Sequence, residues 1–400
     1  MPHAVCCPPS LRVVAVMLAT LVATLAPSSQ GKEPAPVSMQ QRLNWRSLPP
    51  LPDPVGIAGP FAGAHNGGLI VAGGANFAAP DTADVWTAPK RFHDTGFVLT
   101  TSADGVRSWR TGFRLEHPKA YGGSVSTPAG VACLGGEDGS RVFADAFLLA
   151  WDPPAGRLLA SPLPPLPAGF TAGGAAYVAG CIYAVCGQET LGLDSASDRV
   201  WRLDLSRRGD PDCRWEPLPP VPGGPRGYPL VAVRSDGHDE LLYVIGGRRQ
   251  RPGTTGIDGV APLADLQEFS PARFAADPAT GWRTRTAPPT PLMAGAAAAW
   301  GPNRIVVLAA DDGSLLAQAV ADPDFPRRHP GFPRRAWAYD TVTDAWDPAV
   351  PTPACPVTTP AVAYAGGIAL VSGETRPRIR TPEAWLIEAA ADGAGSDDRD

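Results

Sequence analysis

Six times along the chain a short apolar run ends in a doublet of small residues: LIVAGG (69–74), VACLGG (131–136), IYAVCG (182–187), LYVIGG (242–247), IVVLAA (305–310) and IALVSG (368–373). The run ends fall 51 to 63 residues apart, longer than the roughly 40–50 residues of common propeller repeats, so each unit is expected to hold four strands plus a sizeable loop. Upstream of each run stands a strand of small residues (GPFAGAH, GGSVST, AGGAAYV, YPLVAV, AGAAAAW, TPAVAY), and downstream a third strand (DTGFVL, ADAFLLA, DRVWRLDL, LQEFS, RRAWAYD, EAWLIE). Small residues suit an innermost position, where strands converge on an axis and large side chains clash.

A fourth element carries a tryptophan (Trp109, Trp215, Trp282, Trp346), read as structural because large aromatics fill the space between packed sheets. These features predict one all-β domain, a six-bladed β-propeller over residues 44–388. The sixth unit lacks a fourth strand after Glu388, and Asn44-Trp45-Arg46-Ser47 is predicted to supply it. The N-terminal strand then completes the last blade, and a ring closed in this way leaves no unpaired edge.

Outside the repeats, Arg12 precedes the apolar run VVAVMLATLVATLA (13–26), and a small, polar stretch follows to Gly31. Residues 1–31 therefore read as a secretory signal peptide, with a retained anchor as the alternative, and the protein is expected to be exported to the periplasm or outside the cell. Residues 32–43 and 389–400 are expected to be flexible tails. The net charge of −5, with charged residues at 18%, gives no basic footprint for nucleic acid. No segment approaches the roughly 20 apolar residues of a spanning helix, so no membrane association is expected once the leader is removed.

Five cysteines follow the leader (133, 181, 186, 213 and 355). Cys181 and Cys186 lie five apart on one strand and face opposite sides, which argues against a bridge between them.

The residues just after each doublet begin loops at the same end of every blade and are expected to share one rim: Asn76, Glu137, Glu189, Arg248 with Arg249, Asp311 and Glu374. Polar groups converging on a concave rim are the usual sign of a small polar ligand. The last loop, SGETRPRIRTPEAW, sets Glu374 and Arg380 six apart. A Gly-rich phosphate loop, a G-x-S-x-G elbow and H-E-x-x-H are all missing, and the six histidines (3, 65, 93, 117, 238, 329) are scattered. No metal and no cofactor are expected.

Taken together, these segments resemble the kelch-repeat N-acetylneuraminate epimerases, or sialic acid mutarotases, and in particular the branch of cyclically permuted mutarotases. LPDPVGIAGPFAGAHNGGLIVAGGANF resembles a mid-chain blade of the sialic acid enzyme, AYGGSVS with CLGGED its final blade, and PGGPRGYPLVAV with LYVIGG one near its start. In GETRPRIRTPEAW the spacing of Gly-Glu, five residues and Arg-Thr matches the family's loop. The resemblance implies a kelch-type propeller in which Glu374 and Arg380 are the acting acid/base and guanidinium residues. It implies also that Tyr121 (KAYGG) and Arg226 (GGPRGY) are ligand-contacting positions. By the same implication the activity is cofactor-independent anomer interconversion of an acidic sugar; Arg248, Asn76, Glu137 and Glu189 are expected as further substrate contacts from their place on the shared rim. The fifth unit departs from the pattern with Ala309-Ala310 and the loop start ADDGS, which bears on substrate identity.

The alternative is a non-catalytic exported propeller that binds glycans or a protein partner with the same rim. A copper-radical kelch oxidoreductase would need a set of Tyr, Cys and His ligands that the sequence does not offer. The sequence is compatible with a monomer or a homodimer.

Overall fold

The computed structural model describes residues 43–77 and 84–390. The signal-peptide expectation, nearly all of the 32–43 segment and most of the C-terminal tail lie outside the described residues. Among these residues no helix is long and apolar enough to cross a membrane.

Six four-stranded antiparallel sheets form a six-bladed β-propeller. Blade I consists of Phe61–His65, Gly68–Ala72, Thr95–Thr101 and Arg107–Arg114, running outward in chain order. Blades II to V repeat this meander, beginning with the innermost strands Gly123–Thr127, Gly174–Val178, Leu230–Ser235 and Met293–Trp300. Blade VI takes Val362–Tyr364, Gly367–Val371 and Ala384–Ala389 from the C-terminal end, and Leu43–Leu48 lies antiparallel on its outside, from Leu43 opposite Ala389 to Leu48 opposite Ala384.

The apolar core is divided into six wedges, one between each pair of neighbouring blades. Leu69, Val71 and Leu99 of blade I meet Val371 and Leu386 of blade VI; Ile70 and Val98 meet Val131, Leu149 and Trp151 of blade II on the other face. This is why the second strand of each blade holds a continuous apolar run rather than an alternating one: both of its faces are buried between blades.

The small doublets are the joints between blades. In blade I, Gly73 and Gly74 take φ of +69° and +96°, the left-handed region that glycine enters without steric cost. A Cβ on Gly73 would lie 2.5 Å from the carbonyl oxygen of Lys119, which Gly74 N–H meets at 2.9 Å. The same bond recurs from Gly136 to Phe170 O, Gly187 to Arg226 O, Gly247 to Leu292 O and Gly373 to Ile57 O. The outermost strands carry a second joint. Trp109, Trp215, Trp282 and Trp346 donate their indole N–H to Pro49, Pro164, Pro219 and Thr286, each in the exit loop of the preceding blade.

A closed belt of backbone hydrogen bonds circles the axis where the innermost strands begin. Tyr121 N–H donates to Gly59 O, Ala172 to Tyr121, Tyr228 to Ala172, Ala294 to Tyr228, Thr358 to Ala294 and Gly59 to Thr358, at 2.6 to 3.0 Å. All six residues have positive φ. For the bulky Tyr121 (φ +61°) and Tyr228 (φ +55°) this conformation is costly, on the order of 1 kcal/mol each, and the belt holds them there.

Candidate functional site

The residue preceding each belt position pairs with a residue just past the doublet: Ala58 with Ala75, Ala120 with Glu137, Thr171 with Gln188, Gly227 with Arg248, Met293 with Asp311 and Val357 with Glu374. The equivalent rim positions are therefore Ala75, Glu137, Gln188, Arg248, Asp311 and Glu374. Against the expected set this is a correction at two blades, where Asn76 and Glu189 stand one residue too far along. In extended chain a shift of one residue turns a side chain to the opposite face. The Asn76 amide is buried and bonded to Gly56 O at 3.0 Å and to His93 Nε2 at 2.8 Å. Glu189 turns to Arg199, 2.7 Å away.

Glu374 and Arg380 face each other across a short hairpin, Glu374–Arg376 with Ile379–Arg380. Arg380 Nη1 stands 2.7 Å from Glu374 Oε1, off the axis of a hydrogen bond, so the contact is one of charge. The Arg380 side chain is only 2% exposed, and its Nη2–H reaches the Tyr121 hydroxyl at 3.4 Å while Nε–H reaches Ala75 O at 3.4 Å. At the hairpin turn, Arg378 (φ +67°) donates its backbone N–H to Glu374 Oε1 at 2.7 Å. Its guanidinium lies 3.8 Å above the Phe77 ring and donates to Val85 O and Ala88 O, tying the hairpin to blade I. Oε1 of Glu374 is thus occupied on two sides, and Oε2 meets no hydrogen-bond partner among the described residues.

Other groups converge on the same belt. Lys90 Nζ sits 4.9 Å over the Tyr121 ring. Burial pushes the Tyr121 hydroxyl up to about 12, opposed by Arg380 and reinforced by Glu374 and Glu137. Burial raises the Glu137 carboxyl against the pull of Lys90. Across the mouth, the Arg248 guanidinium lies 4.3 Å over the Tyr228 ring, and its buried Nε meets no partner. Arg248 also acts on Asp311, whose carboxyl burial pushes up, and Asp311 in turn acts on His329. A cluster of titratable groups perturbed by burial and by one another is what acid/base and anion-binding sites share.

Lys90, Tyr228 and His329 were not among the expected contacts. Tyr228 had a sequence signal, standing before PLVAV where Tyr121 stands before GGSVS. Arg226 is a further correction. It is fully buried and its five N–H donors are consumed by Asp265 (2.7 and 2.9 Å), Gly246 O, Pro222 O and Gly224 O, so no donor is left for a ligand.

Along the axis runs a cavity of about 380 Å³ lined by the innermost strands, with Tyr121 and Tyr228 in its wall. Glu374 and Arg380 do not line it; their connection to it passes through Tyr121. Its hydroxyl-bearing residues are largely satisfied internally: Ser124 bonds Ala62, Ser126 accepts from Ala64 N–H, and Thr359 donates to Val371 O. The polar chemistry therefore sits at the mouth and not in the shaft. The five cysteines are unpaired, and among the described residues no group of three or more His, Cys, Asp or Glu is placed to hold a metal ion.

The arrangement can hold an anion at Arg248 and Arg380 and move a proton at Glu374. No family model matches the chain. It is similar to the N-acetylneuraminate epimerase of Vibrio cholerae serotype O1, 36% identical over 122 residues that cover 27% of this chain and 30% of that protein. It is similar also to the N-acetylneuraminate epimerases of Brucella melitensis biotype 1 (35% over 116 residues, 26% of this chain and 29% of that protein) and Escherichia coli O1:K1 (32% over 114 residues, 27% and 30%). The matched stretch thus spans about 30% of the length of these curated relatives. Among solved structures, that of YjhT superposes with a TM-score of 0.60 at 12% identity, covering 86% of this chain and 98% of that one, and so shares the propeller fold.

Proposed function

We propose that this protein is a sugar mutarotase that interconverts the anomers of N-acetylneuraminate or a related acidic sugar by general acid/base ring opening. The observation that carries the reading is the opposition of Glu374 and Arg380 at 2.7 Å, with Arg380 bonded onward to Tyr121 at the propeller mouth. The partial similarity to proteins named N-acetylneuraminate epimerase supports the same substrate class.

In the proposed reaction Glu374 Oε2 takes the proton of the anomeric hydroxyl. The bond from the anomeric carbon to the ring oxygen breaks, a carbonyl forms, and the carboxylic acid returns the proton to the ring oxygen. Rotation about the bond from the carbonyl carbon to the adjoining carbon of the former ring, which turns the other carbonyl face to the ring oxygen, and reversal of these steps give the other anomer. Protons and electrons balance without a cofactor. Arg380 and the Arg378 N–H hold Oε1, which leaves Oε2 oriented toward the reacting atoms. Arg248, with an unpartnered Nε, binds the sugar carboxylate together with Arg380, because planar guanidinium groups match carboxylate geometry. Tyr121 stays protonated and acts as a neutral hydrogen-bond partner.

One positioned acid/base group contributes about 10² to 10⁴ in rate, enough for a reaction that already proceeds unaided. Anomer-resolved NMR of a panel of reducing sugars tests the reading: it expects saturable acceleration with N-acetylneuraminate and little with neutral aldoses. No acceleration of any sugar would leave only a binding propeller.

A further inference from the structure

The insertion between the second and third strands of blade V carries a near-duplicate, FPRRHPGFPRR (325–335), with His329 between its two phenylalanines. The structure folds this symmetry around the imidazole. Phe325 and Phe332 lie against His329 at centroid distances of 5.5 and 5.4 Å, and the residue is 8% exposed. Gly331 N–H donates to His329 Nδ1 at 3.1 Å. A nitrogen that accepts a backbone N–H carries no proton of its own, so the neutral ring bears its hydrogen on Nε2. Nε2 has no hydrogen-bond partner among the described residues.

The segment is fastened to the Glu374 hairpin. Phe332 N–H donates to Thr375 O at 3.2 Å, and a Cβ on Gly331 would stand 3.3 Å from the same oxygen. Arg376 Nη1 donates to Arg327 O at 3.2 Å. These bonds set the imidazole beside the strand that carries Glu374, within the field of Asp311, Arg376 and Glu374.

We propose that His329 is a further substrate-contacting residue of this mouth, a neutral imidazole whose Nε2–H donates to the substrate oxygen that gains negative charge as the sugar ring opens. The proposal rests on the mutarotase reading and adds to it an electrophilic partner for the Glu374 base. Burial of the ring disfavours its charged form, in keeping with a neutral donor, although Asp311 opposes this. A preorganised donor of this kind stabilises developing charge without supplying a proton, so the proton balance at Glu374 is unchanged.

The test uses the full chain with N-acetylneuraminate. His329→Leu is expected to lower kcat on the order of 10²-fold with a small change in KM, the size found when one such donor is removed. His329→Gln, whose amide N–H overlays Nε2, is expected to recover most of that loss. Long-range ¹H–¹⁵N spectra of the wild-type ring are expected to show the Nε2–H tautomer and a shift of Nε2 on adding the sugar. An active wild type with an unimpaired His329→Leu variant, or with a folded His329→Gln as impaired as His329→Leu, overturns this inference alone. So does an Nδ1–H tautomer. A wild type without anomerase activity overturns the mutarotase reading and this inference with it.

Discussion

Arg380 stands between Glu374 and Tyr121, with one terminal nitrogen 2.7 Å from the Glu374 carboxylate and the other 3.4 Å from the tyrosine hydroxyl. A single planar cation thereby fixes the acid/base candidate and the aromatic edge of the axial cavity in one geometry. Lysine keeps the charge but cannot reach two partners and a carbonyl at once. Arg380→Lys is expected to fold and to lose about 10- to 100-fold in kcat/KM for N-acetylneuraminate, the worth of one charge-assisted hydrogen bond of about 1.5–3 kcal/mol. Steady-state polarimetry reads the change, and unaltered kinetics would remove Arg380 from the site.

Arg226 is expected to behave in the opposite way. Its bidentate bond to Asp265 is buried on the arginine side and 26% exposed on the aspartate side. Arg226→Met leaves that carboxylate without its partner and is expected to cost about 3 kcal/mol, the low end of the range for breaking a buried pair because Asp265 retains some solvent. Thermal unfolding should show the loss, while affinity for the sugar, corrected to the folded fraction, stays as in the wild type. A selective fall in affinity at unchanged stability would return Arg226 to the ligand.

Alkaline stability follows from the buried phenols. Tyr121 and Tyr183 are both pushed up from 10.0 to about 12, chiefly by burial. Below pH 10 both hydroxyls are protonated folded and unfolded, and they contribute no pH dependence. Between about pH 10 and 12 the unfolded chain releases the proton that the folded chain keeps, so stability falls as pH rises, by up to about 1.4 kcal/mol per pH unit for each group. The buried thiols of Cys186 and Cys355, pushed up from 9.0 to about 12, act in the same sense from about pH 9, so denaturant midpoints measured from pH 8 to 11.5 are expected to fall from about pH 9 and more steeply above pH 10. Tyr183→Phe should shallow the drop.

Ring closure gives a fourth expectation. Leu43–Leu48 covers the outer edge of blade VI, Trp45 packs edge-on to Trp385 at 5.9 Å, and Arg46 pairs with Glu388. A chain beginning at Pro49 leaves Ala384–Ala389 as an exposed apolar edge, a template for aggregation. Size-exclusion chromatography of the shortened chain is expected to show association, with a lower and broader thermal transition. A monomer of wild-type stability would mean that blade VI holds without its outermost strand.

The propeller was legible because both faces of every second strand are buried and because each joint between blades needs a small doublet; these are local demands that repeat at fixed intervals. That Glu374 and Arg380 meet was legible for a related reason, since six residues in one hairpin settle where both ends lie. The phase of the other rim positions was not. Whether Asn76 or Ala75 faces the mouth depends on one residue of register, which the pairing of Ala58 with Ala75 decides from the adjoining strand. Arg226 misled for a different reason, because its partner Asp265 lies 39 residues away on the far side of an insertion. His329 was hidden among scattered histidines, and its meaning depends on the two flanking phenylalanines folding back onto it.

The most direct measurement compares wild type with Glu374→Gln in anomer-resolved NMR of freshly dissolved N-acetylneuraminate. Glutamine fills the same space and keeps an oxygen for the Arg378 N–H, but it has no carboxylate to take a proton. The wild type is expected to equilibrate the anomers faster than buffer, and a folded Glu374→Gln protein to lose that acceleration by about 10² or more. Equal acceleration by the two proteins would remove Glu374 from the reaction.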